Sequence, residues 1–288
     1  MYATKAASVD NWVRRTQLGC SAWTATRRRP GDGGGHAGGG DGERGGAVTD
    51  GGGQVSIWSV PERQGRGPRP AYSRAQITEA AIRIADAEGL EAASMRRIAA
   101  ELGTGAMSLY RYVPSRGDLL DLMEDHVLLE AGIPDRPSGD WRADLTLVAE
   151  GSRAVYLRHG WLADLRRPRT TLGPNRLRLV EFAFGALDVG IPIDDVFVLI
   201  EMLTGYVERA VRSELAWRRE VREGGLTPEQ WMMRSAPYVR ELLDSGAYPM
   251  FRRIVVDARM PHMSADEQFR YGLERVLDCV AAVLPPAT

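Results

Sequence analysis

A chain of 288 residues with 37 Lys and Arg against 38 Asp and Glu carries a formal net charge of −1. That balance excludes a wholly basic nucleic-acid coat protein and leaves any DNA contact to local patches, while 44% hydrophobic residues are enough for a sizeable core. Two cysteines far apart, Cys20 and Cys279, exclude a disulfide framework and a paired-cysteine metal site, so a reduced, cytoplasmic compartment with no membrane span and no secretory leader is expected.

Residues 1–70 read as a low-complexity extension. Half of the chain's 32 glycines fall there, and such a segment buries too little apolar surface to offset its ordering entropy. Gly33-Gly-Gly-His-Ala-Gly-Gly-Gly40 superficially suggests a phosphate loop, but it follows no strand and opens no helix. The extension ends in Ile57-Trp58-Ser-Val-Pro-Glu-Arg63-Gln-Gly-Arg66-Gly-Pro-Arg69-Pro70, a basic, proline-punctuated arm. Such an arm either enters a minor groove beside the main contact or serves as a solvated linker.

Helical spacing then begins. Ser73 and Gln76 form a capping box for a helix over Ser73–Ala87, with Ile77, Ala81 and Ile84 as its buried stripe and Gly89 as its stop. Met95, Ile98, Ala99 and Leu102 give one apolar face of a second helix, which Gly103-Thr104-Gly105 interrupts. Ala106, Leu109, Tyr110 and Val113 repeat the spacing in a third. Two helices joined by a glycine turn make the helix-turn-helix unit, whose second helix can enter a major groove. Arg96, Arg97, Arg111 and Arg116 stand here against Glu101 alone, a positive balance where phosphates would lie. Ser115 and Asp118 open a fourth helix through Leu119, Leu122, Met123, His126 and Val127 to about Ala131. His126 reads as a core or pocket-edge residue, not as a metal ligand.

From Tyr72 to Gly132 this ordered, ungapped run resembles the DNA-binding domain of tetracycline-repressor (TetR) family regulators. It is carried by Glu88-Gly-Leu, Ser94-Met-Arg-Arg-Ile-Ala-Ala-Glu-Leu-Gly103, Leu109-Tyr-Arg-Tyr-Val113 and Pro114-Ser-Arg-Gly-Asp-Leu-Leu120. The resemblance implies that Arg96 reaches a base edge and that Thr104, Gly105, Ala106, Met107 and Ser108 open the recognition helix. Ala106 and Met107 would then face bases, while Ser108, Tyr110, Tyr112 and Arg116 hold phosphates.

Ile133–Asp140 is a turn-rich break and the expected domain boundary. Beyond it the expected helices are Trp141–His159, a short element with Trp161, Leu162 and Leu165, then Asn175–Val189 bearing Leu177, Val180, Phe184 and Leu187. Ile193–Glu223 is the longest. Thr227 and Gln230 cap another, Tyr248–Ala258 is short, and Ser264 and Glu267 cap the last. No strand period and no internal repeat appear in 71–288.

This half resembles the C-terminal regulatory domain of the same family through Arg158-His-Gly-Trp-Leu162, Leu172-Gly-Pro-Asn175, Thr204-Gly-Tyr206 and Phe269–Asp278. Gly160 stands where a proline is expected in this branch. The resemblance implies effector binding and dimerisation. Tyr156, Trp161, Phe184, Met202, Tyr206 and Trp231 are the candidates to line an effector pocket, since such pockets are mainly apolar; the same residues at helical spacing also suit a plain core. Leu203 and Leu273 stand on the stripes expected to form a four-helix subunit interface. No metalloprotease, nucleophile-elbow or Walker motif occurs, so no enzyme, metal or cofactor is expected.

The reading is an all-α chain. An N-terminal three-helix helix-turn-helix DNA-binding domain at 71–132 precedes a C-terminal helical-bundle domain for effector binding and dimerisation at 133–288. Its function would be that of a homodimeric repressor that binds palindromic double-stranded operator DNA and is released by a hydrophobic or aromatic small molecule. The alternative is an effector-binding or protein-interaction domain whose helix-turn-helix no longer reads DNA.

Overall fold

The computed structural model describes residues 56–61, 72–165, 171–257 and 263–285, all within one unit, Gly53–Thr288. The glycine-rich segment, Cys20 and the basic part of the arm from Arg63 to Pro70 lie outside these residues. Among the described residues there are helices and no strand.

Capping and glycine chemistry set the first four helices. Ser73 accepts the Gln76 N–H, and the Gln76 side chain accepts the Ser73 N–H, to start α1 (Arg74–Glu88). Gly89, with φ of +89°, ends it. Ser94 caps α2 (Met95–Glu101). Gly103 turns left-handed at φ +69° and lets the Thr104 N–H reach back 2.9 Å to the Ala99 carbonyl. That closure fixes the angle at which α3 (Ala106–Leu109) leaves. Ser115 caps α4 (Arg116–Leu128), which tightens into a 3-10 turn over Leu129–Ala131. Ile77, Ile84, Ile98, Leu109, Leu119 and Met123 are buried together between these helices.

Two local expectations change here. The third helix lasts one turn, because the N–H groups of Tyr112 and Val113 both fold back on the Leu109 carbonyl. Val113 is buried by that turn, and Tyr110, expected on the inner face, is exposed. The arm also differs from a free strand of chain. Ile57–Ser59 is a 3-10 turn whose Ile57 is only 1% exposed.

The remaining helices are α5 (Trp141–Arg158), α6 (Pro174–Ala186), α7 (Ile193–Arg222), α8 (Pro228–Asp244), α9 (Pro249–Val256) and α10 (Ala265–Val283). A 3-10 turn over Gly160–Asp164 follows α5. Asp140 caps α5, and Thr227 and Ser264 form the expected capping boxes. The second core packs α5, α6, α7 and α10 around Leu145, Phe182, Leu203, Val211, Phe269 and Leu277. Arg153 of α5 pairs with Glu214 of α7 and Asp266 at the start of α10, both at 2.7 Å, over the Phe269 ring. In α6 the inner stripe is Phe182, Ala183 and Ala186, and Leu177 points to solvent. Leu203 and Leu273, expected at a subunit interface, are buried in this chain's own core. No described side chain of α8 or α9 is buried.

Leu277 and Trp231 therefore respond oppositely to truncation. Leu277→Ala leaves a cavity in the second core and costs about 2–5 kcal/mol. Trp231→Ala, at a side chain 53% exposed in one chain, changes the stability of the monomeric fold by less than about 0.5 kcal/mol. Urea unfolding at low protein concentration checks both, and equal costs would contradict this division between core and surface.

Candidate nucleic-acid interface and effector joint

The outer face of the helix-turn-helix is set by which arginines already have partners. Arg97 pairs with Glu88 at 2.8 Å and with Glu101, which Arg83 also engages. Arg116, expected on phosphate, donates instead to the carbonyls of Ala93 and Leu90, the latter at 2.7 Å, and so braces the turn between α1 and α2. Arg96 and Arg111 are exposed and have no ionic partner among the described residues. Met107 at the start of α3 is 80% exposed, with nothing among the described residues to cover it. Gly105 and Tyr110 are exposed, and Thr104, Ala106, Ser108 and Tyr112 are half-buried. Tyr112 also gives its carbonyl to Arg74 at 3.0 Å. Arg96, Gly105, Met107, Tyr110 and Arg111 are thus exposed positions of the α2–turn–α3 unit, while Leu109 is buried in the core and Arg116 is committed to the carbonyls ahead of α2.

Behind that surface, two polar contacts join the first four helices to the bundle. Asp125 on α4 is buried, and its Oδ1 accepts the backbone N–H groups of Asn175 and Arg176 at 3.0 and 2.9 Å. The Asn175 amide donates to Asp125 Oδ2 and to the Asp125 carbonyl, each at 3.0 Å. Helix α6 has Gly173 as its N-cap and so brings no capping side chain of its own; a carboxylate from α4 takes the place. Beside it Glu124 accepts a 2.6 Å bond from Arg176, and Tyr156 of α5 lies against the same guanidinium. Burial pushes the Asp125 carboxyl above the usual carboxylate range, against the opposing pull of Arg176 and Asn175. Burial likewise raises the Tyr156 phenol.

The second contact lies at the end of α5. His159 Nδ1 is 2.8 Å from Asp86 Oδ1 on α1, and the Trp161 indole N–H donates to the same oxygen at 2.8 Å. His159 Nε2 is 3.2 Å from Glu130, which Arg158 also holds.

The six expected effector contacts are not brought into one site. Trp161 belongs to the first core and its N–H is committed to Asp86. Tyr206 stacks on Phe269 and donates its hydroxyl to the Phe269 carbonyl at 2.7 Å. Phe184 meets Phe197 edge to face. Met202 and Trp231 are exposed. Of the six, Tyr156 alone sits beside the Asp125 contact. A concavity of about 490 Å³ opens elsewhere, lined by Asp140, Arg142, Thr146, Leu147 and Glu274 among others, and contains none of the six. Among the described residues no cluster of three His, Cys, Asp or Glu could hold a metal ion, and no helix is long and apolar enough to cross a membrane.

Comparison with known proteins decides the family. Residues 77–123 match the model of bacterial regulatory proteins of the tetR family, and residues 133–284 match the tetracyclin repressor-like C-terminal domain. The chain belongs to the TetR family. It is 40% identical over 237 residues to the HTH-type transcriptional repressor DrrR1 of Streptomyces coeruleorubidus, covering 80% of this chain and 87% of that one. An HTH-type transcriptional regulator of Saccharopolyspora erythraea is 34% identical over 61% of this chain and 75% of its own. Among solved structures, the Streptomyces coelicolor TetR family protein ActR in complex with (S)-DNPA superposes with a TM-score of 0.61 at 28% identity, over 74% of this chain and 98% of that one. ActR in complex with actinorhodin gives 0.60 at 26%, over 75% and 99%. This TetR chain is a DNA-binding transcriptional regulator, of a family that is not typically enzymatic.

Sequence reasoning passed over Asp86, Asp125 and Arg176. An acid on α4 in register with Leu122 and Leu128, three residues to either side, is the signal, because a carboxylate that shares a helix face with apolar residues must find donors once that face is covered. Substitution at that carboxylate has an expected order. Asp125→Ala strands the α6 N-terminus and costs about 3–5 kcal/mol, as removal of one partner of a buried charged network does. Asp125→Asn keeps one acceptor and costs less. A carboxyl raised above its ordinary 3.8 favours the protonated native state. That stabilisation is full below the unfolded pKa and is lost as pH rises through the folded value. The wild type therefore gains stability relative to Asp125→Asn as pH falls from about 7 to about 4. Urea midpoints across that range test it, and a relative loss would reverse the assigned sign.

Proposed function

We propose that this TetR regulator reads a palindromic operator as a homodimer and leaves it when a small, mainly hydrophobic effector binds the bundle. The observation that carries the reading is Asp125. One buried side chain on α4, the helix that follows the recognition unit, holds the first turn of α6 in the bundle. A shift of α6 therefore moves α4, and with it the spacing between two recognition helices. The complexes of ActR with actinorhodin and (S)-DNPA support a small-molecule effector.

On DNA, Arg96, Ala106 and Met107 take base edges, and Ser108, Tyr110 and Tyr112 take phosphates, with Thr104 and Gly105 letting the α3 N-terminus approach. Arg111, exposed and without an ionic partner among the described residues, joins the phosphate set in place of Arg116. The dimer face is the outer side of α7 and α10, where Ile193, Val198, Met202, Tyr271 and Val283 are exposed apolar side chains; a dimer places two recognition helices about 34–36 Å apart. Tyr156 is the strongest of the effector contacts, since it lies against the α6 guanidinium that flanks Asp125.

Arg96→Ala is expected to lose about 1–3 kcal/mol of operator affinity and to relax one base position. Fluorescence anisotropy against DNA upstream of its own coding region reads this; unchanged affinity and preference would reject the docking. Val198→Glu with Tyr271→Glu, both at exposed positions, is expected to give folded monomers by light scattering, whereas a persisting dimer moves the interface. Effector release requires a coupling of about 1–3 kcal/mol that acts equally in both directions. Calorimetry of effector with and without operator, paired with operator titrations with and without effector, must return the same factor, and a factor of one would exclude induction.

A further inference from the structure

The segment ahead of the DNA-reading head has a place in the fold that neither family domain includes. Ser56–Pro61 runs to the joint just described. Its 3-10 turn is closed by the Ser59 N–H and hydroxyl, which both donate to the Ser56 carbonyl at 2.9 and 2.7 Å. Ile57 is buried against α4. Its carbonyl and that of Val60 accept from the Arg74 guanidinium at 3.1 and 2.9 Å. Through its Nε, the same guanidinium holds the Tyr112 carbonyl at the end of the recognition unit. On the other side Trp58 reaches the bundle. A Cβ at Gly173 would come within 2.7 Å of Trp58 Cζ2 and would also strike the Asp125 carboxyl group. Gly173 has φ of −73°, which any residue adopts, so glycine is required there by space and not by backbone conformation.

We propose that Ser56–Pro61 is a strap across the joint, pinning α4 to the N-terminus of α6 and so taking part in the transmission between effector and operator. The turn touches every moving part of that transmission. Arg74 ties it to α1 and to the recognition unit, Ile57 to α4, and Trp58 to the first turn of α6 beside the Asp125 cap. With the strap in place, α4 and α6 shift together. Without it, Asp125 and Glu124 remain as the polar link, and Trp58 no longer closes the side of the joint above Gly173.

The test uses the full chain with Ile57→Asp and, separately, Trp58→Ala, which keeps the buried anchor and so folds if the first variant does not. Hydrogen exchange of peptides covering 116–128 and 174–186 is expected to quicken about tenfold in each variant, with the α7 and α10 core peptides unchanged. Unchanged exchange in both stretches, or a rise confined to residues 72–88, would overturn the strap. A second readout rests on the operator reading above. A loosened joint spreads the recognition helices over wrong spacings, so affinity for DNA upstream of the coding region is expected to fall about fivefold, as the competent fraction falls. Quickened exchange with unchanged operator affinity would reduce the turn to a stability element and reject its part in transmission. Absence of wild-type binding to that DNA would count against the operator reading, and the exchange experiment would still decide the strap.

Discussion

A buried carboxylate under a helix N-terminus is the interaction on which this architecture depends. Helix α6 begins Gly173-Pro174, and neither residue can cap it with a side chain. Its first free N–H groups would lie against α4 with no partner, at a cost of about 1–3 kcal/mol each for an unsatisfied buried donor. Asp125 answers them, and its own burial is tolerated only because those donors, the Asn175 amide and the Arg176 guanidinium beside it surround the charge. Each side therefore needs the other. The head and the bundle are joined by mutual desolvation, which holds their relation in one arrangement more firmly than apolar contact, being directionless, could.

The same logic arranges the charges on the head. Six arginines lie on or near the α1–α4 unit, yet Arg83 and Arg97 are neutralised by Glu88 and Glu101, and Arg74 and Arg116 are committed to carbonyls. What remains outward is Arg96 and Arg111 beside an uncovered Met107. A surface with few uncommitted cations and an apolar tip suits selective reading of a groove better than a broad cationic patch, whose pull on phosphate is indifferent to sequence. Elsewhere α8 and α9 carry Trp231, Met233, Tyr238, Met250 and Ile254 in the open. Apolar surface of that extent on an isolated chain marks an interaction face, and it lies on the helices that contribute no buried side chain to either core.

Much of this was open to reading in the residues themselves. Helix starts were marked by Ser73, Ser115, Thr227 and Ser264, and the α2 stop by Gly103, because capping and left-handed turns are local chemistry with a partner two to five residues away. The helix-turn-helix and the all-helical class followed from spacing for the same reason. The order of Arg96, the glycine turn and Leu109-Tyr-Arg-Tyr-Val113 was enough to reach the TetR family, which the matches over 77–123 and 133–284 bear out.

Partnerships across distance were not open in that way. Periodicity says that Leu203, Leu273 and Leu177 lie on apolar stripes, and cannot say whether a stripe meets its own chain, a second copy or solvent; the fold put the first two in the core and the third outside. Arg116 and Trp161 read as free because their acceptors, Ala93 and Leu90 for one and Asp86 for the other, are 23 to 75 residues away. The Ile57-Trp58 turn read as part of an arm because its anchors, Arg74 and Gly173, come together only when α4 meets α6. The sequence by itself determined where helices begin, where they stop and which family they compose, since those depend on neighbours along the chain. Only the tertiary structure decided which polar groups are already satisfied, because that depends on donors and acceptors the chain brings together from far apart.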